Sequence, residues 1–261
     1  MQKRHRDPQR YFNEQSLSTE RYIIPFIQSV KEINESLKVL EIGCGEAGNL
    51  KPFLELGCIC TGVDYSVSKI EKAKEYYSTL SYNTKLTLIS DDIYNTNEFD
   101  SQFDLVIVRD VIEHIHDQDK FLGLIKKIMA PNAVVFFAFP PWQNPFGGHQ
   151  QMCKSKVLSH LPYYHLLPKS IYQTTLKLFG ENNNTVSGLM EIKETGISLE
   201  RFESLIVKND YKILKKILYL INPNYEVKFG LKPRKLPMII EKLPYLRNFV
   251  ATCGYYLISV K

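Results

Sequence analysis

The chain has 261 residues, 44% of them hydrophobic and 23% charged, an average globular composition that excludes disorder, collagen and coiled coil and allows one domain with insertions. No run approaches the roughly 18 uncharged apolar residues of a membrane-spanning helix, and the basic stretch Met1 to Arg10 has no apolar run behind it, so a cytoplasmic protein is expected. A net charge of +5 is too small to imply nucleic acid, and five cysteines without a CxxC pair imply neither a disulfide framework nor a zinc site.

Lys38 to Ile42 reads as a buried strand, Asn49 to Leu56 as a helix and Ile59 to Val63 as a second strand. Ser66 is placed to cap a charged helix over 67–79. Leu86 to Ile89 reads as a third strand, Phe103 to Val108 as a fourth, Asp117 to Met129 as a helix and Val134 to Phe139 as a fifth strand. Strands separated by helices of this length predict right-handed crossovers and a parallel sheet covered on both faces. The pattern breaks after Pro140. Residues 141–197 are rich in Pro, Gly, Asn, Tyr and His, hold at most two helices, near 153–160 and 168–179, and read as an active-site cover. Ser198 then caps a helix to about Asn209, and Tyr211 to Leu220 and Gly254 to Val260 read as strands. Lys215, Lys216, Lys228, Lys232, Arg234, Lys235, Lys242 and Arg247 give the C-terminal part a basic bias, facing either an anionic substrate or solvent.

The strongest local signal is the strand Val39 to Ile42 running into Gly43-Cys44-Gly45-Glu46-Ala47-Gly48. Glycines in such a turn let the backbone approach a ligand and leave N–H groups facing an anion. Read literally, Gly43, Gly45 and Gly48 form G-x-G-x-x-G, and Asp64 follows Gly43 by 21 residues, as in a dinucleotide site. An NAD(P)-dependent oxidoreductase therefore stays open on this motif, although no Tyr-x-x-x-Lys pair stands suitably after the fourth strand.

Glu41-x-Gly43-x-Gly45-x-Ala47 resembles the first motif, D/E-x-G-x-G-x-G, of class I S-adenosylmethionine-dependent methyltransferases, and Gly62 to Ser66 resembles the second. Ser90 to Ile93 resembles the third motif, Phe103 to Ile115 the fourth, and Ile128 to Ala133 stands where the family has L-K-P-G-G. Gly254 to Val260 resembles the family's reversed final strand. In this order over about residues 37–140 and 198–261, these markers make the chain similar to bacterial small-molecule methyltransferases. Ala47 replaces the third glycine, and Asn132-Ala133 replaces Gly-Gly.

The resemblance implies an α/β, Rossmann-like, seven-stranded sheet, mostly parallel with an antiparallel last strand and helices on both faces. It implies one domain over 1–261, with an N-terminal cap at 1–36 and an inserted acceptor-site cover at 141–197. The implied cofactor is S-adenosylmethionine, with S-adenosylhomocysteine as product and a small molecule as acceptor, methylated on oxygen or nitrogen. Nucleic acid is not an expected partner, since no N-P-P-[Y/F/W] motif follows the fourth strand. Carried over, Gly43 and Gly45 admit the methionine part, Asp64 accepts from both ribose hydroxyls, Asp92 accepts from the adenine amine, and the Ile93 N–H meets a ring nitrogen. Asp110 lies near the sulfonium, and Glu41 and Tyr65 complete the cofactor-binding set. Asp91 is expected to be solvated. Glu113 and His114, as neighbours, are expected to diverge, with His114 structural and no metal bound. His149, after a Gly147-Gly148 hinge, is the catalytic candidate that takes the acceptor's proton, or else a loop anchor. A non-catalytic protein that binds the same cofactor is the remaining alternative, and the sequence carries no sign of oligomeric state.

Overall fold

The computed structural model describes residues 7–261 apart from 82, 97 and 98. Strands β1 (Lys38–Ile42), β2 (Ile59–Asp64), β3 (Leu86–Ser90), β4 (Phe103–Arg109) and β5 (Met129–Phe139) pair in parallel. Strands β6 (Tyr211–Ile221), β7 (Arg234–Lys235) and β8 (Cys253–Val260) complete a sheet of order β3-β2-β1-β4-β5-β8-β6-β7. β8 runs antiparallel to both of its neighbours, β5 and β6. The sheet thus has eight strands where seven are expected. The addition is β7, a two-residue edge strand between Pro233 and Pro237, a setting where proline confines pairing to the sheet margin.

Successive side chains of the central strands point to opposite faces. Leu40, Val106, Val108, Val135 and Phe137 enter one core cluster, and Val39, Leu105, Ile107, Val134 and Phe136 enter another. The first is covered by α5 (Gln118–Ile128) through Phe121, Leu122 and Ile125, and by α8 (Leu199–Lys208) through Phe202 and Ile206. The second is covered by α2 (Ile24–Gln28), α3 (Lys51–Glu55) and α4 (Val67–Tyr77). α3 is shorter than expected because Asn49 is diverted into hydrogen bonds beneath the glycine turn. Ser66 occupies the N-cap of α4, but its hydroxyl meets Ser68 instead of a backbone N–H. Asn132 has φ +61°, so the position where the family carries glycine is a left-handed one, which asparagine tolerates.

The N-terminal segment is helical: α1 (Pro8–Ser18), capped by the Asp7 carboxylate, passes through a π-helical turn at Thr19–Ile23 into α2. In the cover, α6 (Lys169–Leu178) forms near its expected place and the stretch near 153–160 forms turns, not a helix. A further helix, α7 (Asn183–Thr195), was not expected. α6 and α7 share a small core of their own with Cys153, Leu158 and Tyr164, so the cover is a packed unit. Gly147 and Gly148 are not a hinge. Both are buried, and a Cβ would lie 2.2 Å from the Trp142 carbonyl oxygen at one and 2.3 Å from the His165 Cβ at the other. The connection from β6 to β8 carries α9 (Asn224–Phe229), α10 (Met238–Glu241) and α11 (Leu246–Val250). No helix among the described residues is long and apolar enough to cross a membrane.

Candidate active site

The turn after β1 is built on left-handed backbone. Gly43 has φ +70° and Gly45 φ +56°, and Ala47 follows at φ +59°. The third motif position therefore does call for a left-handed residue, and alanine fills it at a strain of about 1–2 kcal/mol. The Gly43 N–H donates to the Val63 carbonyl at 2.8 Å and the Gly45 N–H to Asp64 Oδ2 at 2.8 Å. Asp64 Oδ1 accepts from the Ser66 N–H at 2.9 Å, so this buried carboxylate at the end of β2 ties the two turns together.

Glu41 lies beneath the turn, 1% exposed, and accepts from Asn49 Nδ2. Burial pushes its carboxyl up to about 8, against the opposing pull of Asn49 and Arg109. The Arg109 guanidinium donates to Ser18 Oγ at 3.1 Å, to Asn49 Oδ1 at 2.6 Å and to Asn224. These bonds join α1, the glycine turn, the end of β4 and α9. Glu41 lines none of the cavities at the strand ends described below; it acts on the turn through Asn49.

Two cavities open at the carboxyl ends of the parallel strands, where open α/β sheets place ligands. The first, of about 620 Å³, is lined by Gly43, Asp64, Tyr65, Asp92, Ile93, Asp110 and His149. Gly45 lines a small recess of about 110 Å³ beside it. Every residue expected to bind the cofactor thus reaches this region except Glu41. Asp91 lines the same cavity, but its Oδ1 is occupied by the Asp92 N–H at 2.7 Å and by Asn95 Nδ2 at 2.8 Å, so it shapes the loop. The second cavity, of about 560 Å³, is walled on one side by Asn144, Phe146 and His160 of the cover and on the other by Asn224, Tyr225 and Lys228. Asp110 and His149 line both cavities. Both are held in left-handed backbone, at φ +54° and +55°, strain of the kind that persists where the surroundings over-determine a site. A larger cavity of about 930 Å³ lies around Pro131, Asn132 and Val260, at the opposite end of β5, away from the strand ends that carry the motifs.

At the junction, burial pushes the His149 imidazole down to about 3, helped by His114 and His165, and burial also lowers His114. Glu113 moves the other way, well above the carboxylate range, through burial and then the nearby Asp110 charge. The expectation that Glu113 and His114 diverge fails. The 3₁₀ turn Ile112–His114 turns Glu113 inward, and one ligating atom from each of Glu113, His114 and His149 lies within 4.8 Å of the others. His165 is structural: it is fully buried, with its ring nitrogens 2.9 Å from Gln150 Nε2 and 2.8 Å from the Trp142 carbonyl.

Sequence reasoning missed Lys69, Val111 and Tyr94 at the first cavity, and Met152, Gly188 and Glu191, which the cover contributes to it. The spacing of Val186, Leu189, Met190 and Ile192 behind the capping Asn182 was the available signal for that last wall. It also missed the 222–231 wall of the second cavity apart from Lys228. Of the eight basic residues noted in the C-terminal part, Lys228 lines that cavity, whereas Arg247 is buried against Glu200 and Glu203.

An open sheet of this order with its last strand reversed, and a glycine turn and two acidic strand ends around one cavity, define a class of nucleotide-cofactor-binding α/β domain. Residues 14–169 match the family described as methyltransferase domain, and the chain belongs to that family. The chain is similar to the ubiquinone biosynthesis O-methyltransferase of Bartonella quintana, 33% identical over 104 residues, which is 39% of this chain and 40% of that protein. It is likewise similar to the protein of the same name from Rhodopseudomonas palustris strain HaA2, 34% identical over 106 residues and 39% of each chain. The similarity thus spans about two fifths of these relatives' length. Among solved structures, the fold is shared with geranyl diphosphate C-methyltransferase from Streptomyces coelicolor, at TM-score 0.56 and 11% identity over 90% of this chain and 76% of that one. It is shared too with phosphoethanolamine N-methyltransferase 2 of Haemonchus contortus, at TM-score 0.58 and 15% identity over 91% and 52%.

Proposed function

We propose that the protein is an S-adenosylmethionine-dependent methyltransferase that methylates an oxygen of a small-molecule acceptor. The observation that carries this reading is the meeting of two cavities at Asp110 and His149, the first lined by the residues that fit a cofactor and the second by the cover. The first has the volume range of a cofactor site, and its carboxylates are placed to accept from hydroxyl and amine donors. The glycine turn leaves room that a side chain would fill: a Cβ at Gly43 would lie 2.5 Å from Val111 Cγ2. The bound cofactor supplies an electrophilic methyl on a sulfonium. The chain's own part is to hold donor and nucleophile in line and to exclude water, which favours a step that disperses charge. Asp64 and Asp92 orient the nucleoside, and Lys69 stands at the recess beside Gly45, suited to a carboxylate. His149 stands half-buried on the acceptor side of the junction, placed to assist loss of the acceptor's proton. The cap at 1–36 and the cover at 141–197 close the two sides.

The test supplies methyl-labelled S-adenosylmethionine and the low-molecular-mass fraction of a bacterial extract. Label should appear in a small molecule, and His149→Ala should lower that transfer by about a hundredfold while leaving S-adenosylhomocysteine affinity within about twofold. Tight binding of NAD with none of S-adenosylmethionine would return the oxidoreductase reading. Cofactor binding with no transfer to any fraction would favour a non-catalytic protein.

A further inference from the structure

The opening between the two cavities holds a group of side chains that cofactor binding does not use. Glu113 is 4% exposed, and neither of its carboxylate oxygens has a hydrogen-bond partner among the described residues. A buried polar group left unpaired costs a fold several kcal/mol, and a charged one more. Beside it stand the imidazoles of His114 and His149, their rings 5.0 Å apart. The ligating atoms of the three side chains lie within 4.8 Å of one another. Bonds of about 2.0–2.1 Å to a tetrahedral ion put ligand atoms roughly 3.4 Å apart, so closing around one takes shifts of about 1 Å.

We propose that Glu113, His114 and His149 bind a divalent transition-metal ion of the zinc type at the opening between the cofactor cavity and the acceptor cavity. The donor set selects the class of ion. Two neutral imidazoles and one carboxylate make up the protein shell of catalytic zinc and non-haem iron centres, three ligands with a position left open. Magnesium and calcium, which take oxygen shells, do not suit it. Glu113 then has a partner that it lacks among the described residues, and His149, held in left-handed backbone, places a ring nitrogen in the same cluster. Glu113 and His149 also border the acceptor cavity, so the open position faces the acceptor. A hydroxyl bound there loses its proton to solvent, and the electron pair of the broken O–H bond stays on an oxygen held by the ion's charge. This last role rests on the methyltransferase reading; the metal site does not.

The experiment strips the full chain with a chelator, dialyses it against Zn²⁺ or Co²⁺ alone, and measures metal content by plasma mass spectrometry together with the visible spectrum of the cobalt form. One equivalent should bind, with the absorption of a four- or five-coordinate cobalt ion, and excess Mg²⁺ should not displace it. His149→Ala and the isosteric Glu113→Gln should each weaken binding at least a hundredfold, while His116→Ala, outside the cluster, should leave it unchanged. Thermal melts of each variant establish that the fold is retained. Uptake of no ion by the stripped wild-type protein, or uptake equal to wild type in both cluster variants, overturns the site and leaves Glu113 as a neutral buried acid. Calorimetry with S-adenosylhomocysteine on the same stripped protein separates the two readings. Cofactor binding without metal uptake removes the site and keeps the methyltransferase; metal uptake without cofactor binding does the reverse.

Discussion

Replacing Gly43 by alanine tests the geometry of the cofactor turn directly. Gly43 has φ +70°, and a Cβ there would sit 2.5 Å from Val111 Cγ2. The left-handed conformation costs a side-chain-bearing residue about 1–2 kcal/mol. The overlap is about 1 Å inside the usual carbon–carbon contact, and the displacement of Val111 adds about 1–3 kcal/mol, as over-packing does. The expected loss of about 2–5 kcal/mol lowers the melting temperature by roughly 5–15 °C for a chain of this size. Val111→Ala removes the overlap and leaves the backbone strain. In a double-mutant cycle the pair should therefore be less damaged than the sum of the singles by about 1–3 kcal/mol. The assay is thermal unfolding of the four proteins, with S-adenosylhomocysteine affinity measured alongside, because Val111 also lines the cofactor cavity. A Gly43→Ala protein within about 0.5 kcal/mol of wild type, or strict additivity with Val111→Ala, would show that Gly43 is not required by this turn and is not packed against Val111.

Glu41, whose folded carboxyl titrates at about 8 against 4.5 for the ordinary group, binds a proton in the folded state over a range where the unfolded chain has lost it. Its contribution to stability is therefore complete below the ordinary value and is lost as pH rises through 8, up to about 5 kcal/mol at about 1.4 kcal/mol per unit. Glu41→Gln should accordingly melt progressively higher than wild type between pH 5 and pH 9, and a gap that does not vary with pH would remove the raised carboxyl from the account. Asp64→Ala removes the acceptor of the Gly45 and Ser66 N–H groups and, on the proposed reading, of the nucleoside hydroxyls, and should weaken S-adenosylhomocysteine binding by about 1.5–3 kcal/mol by calorimetry. Asp91→Ala, whose carboxylate serves its own loop, should change that affinity by less than about 0.7 kcal/mol; an effect as large as that of Asp64→Ala would shift the assignment of the third motif by one residue.

The first five strands could be read from the chain because a parallel strand buried on both faces is a near-continuous β-branched or aromatic run, as in Leu105 to Val108 and Val134 to Phe137. The gathering of the motif residues around the first cavity followed from them, since motif spacing fixes which residues sit at strand ends. α7 was hidden because Asn182 to Asn184 and Gly188 look like loop, and its helix is stabilised by Val186, Leu189 and Ile192 packing on the cover's own core. Glu113 and His114 were misjudged for a geometric reason: adjacency argues for divergence, and only the placement of His149 from another strand end brings the three together. The 222–231 wall of the second cavity is a product of tertiary folding, and apart from the basic Lys228 no local pattern announces it.

The position of β8 between β5 and β6 has a kinetic meaning. During synthesis, β1 to β5 emerge in an order that lets each pair with a neighbour already made or soon to follow, while β6 appears with its long partner β8 still to come. Over that interval β5, with Val134 to Phe139 wholly apolar in its surroundings, presents an open edge, and β6 is the strand most available to dock there wrongly, in the slot that β8 must fill. Lys212, Lys215 and Lys216 along β6 oppose that docking, since lysines on an unpaired strand disfavour edge-to-edge association. The sheet can close only after β8, the last strand in chain order, has emerged. Substitution of the exposed Lys212 by an apolar residue would leave the finished protein little changed and the nascent one more prone to aggregate, whereas Lys215 and Lys216 also serve the finished fold through Ser29 and Glu203.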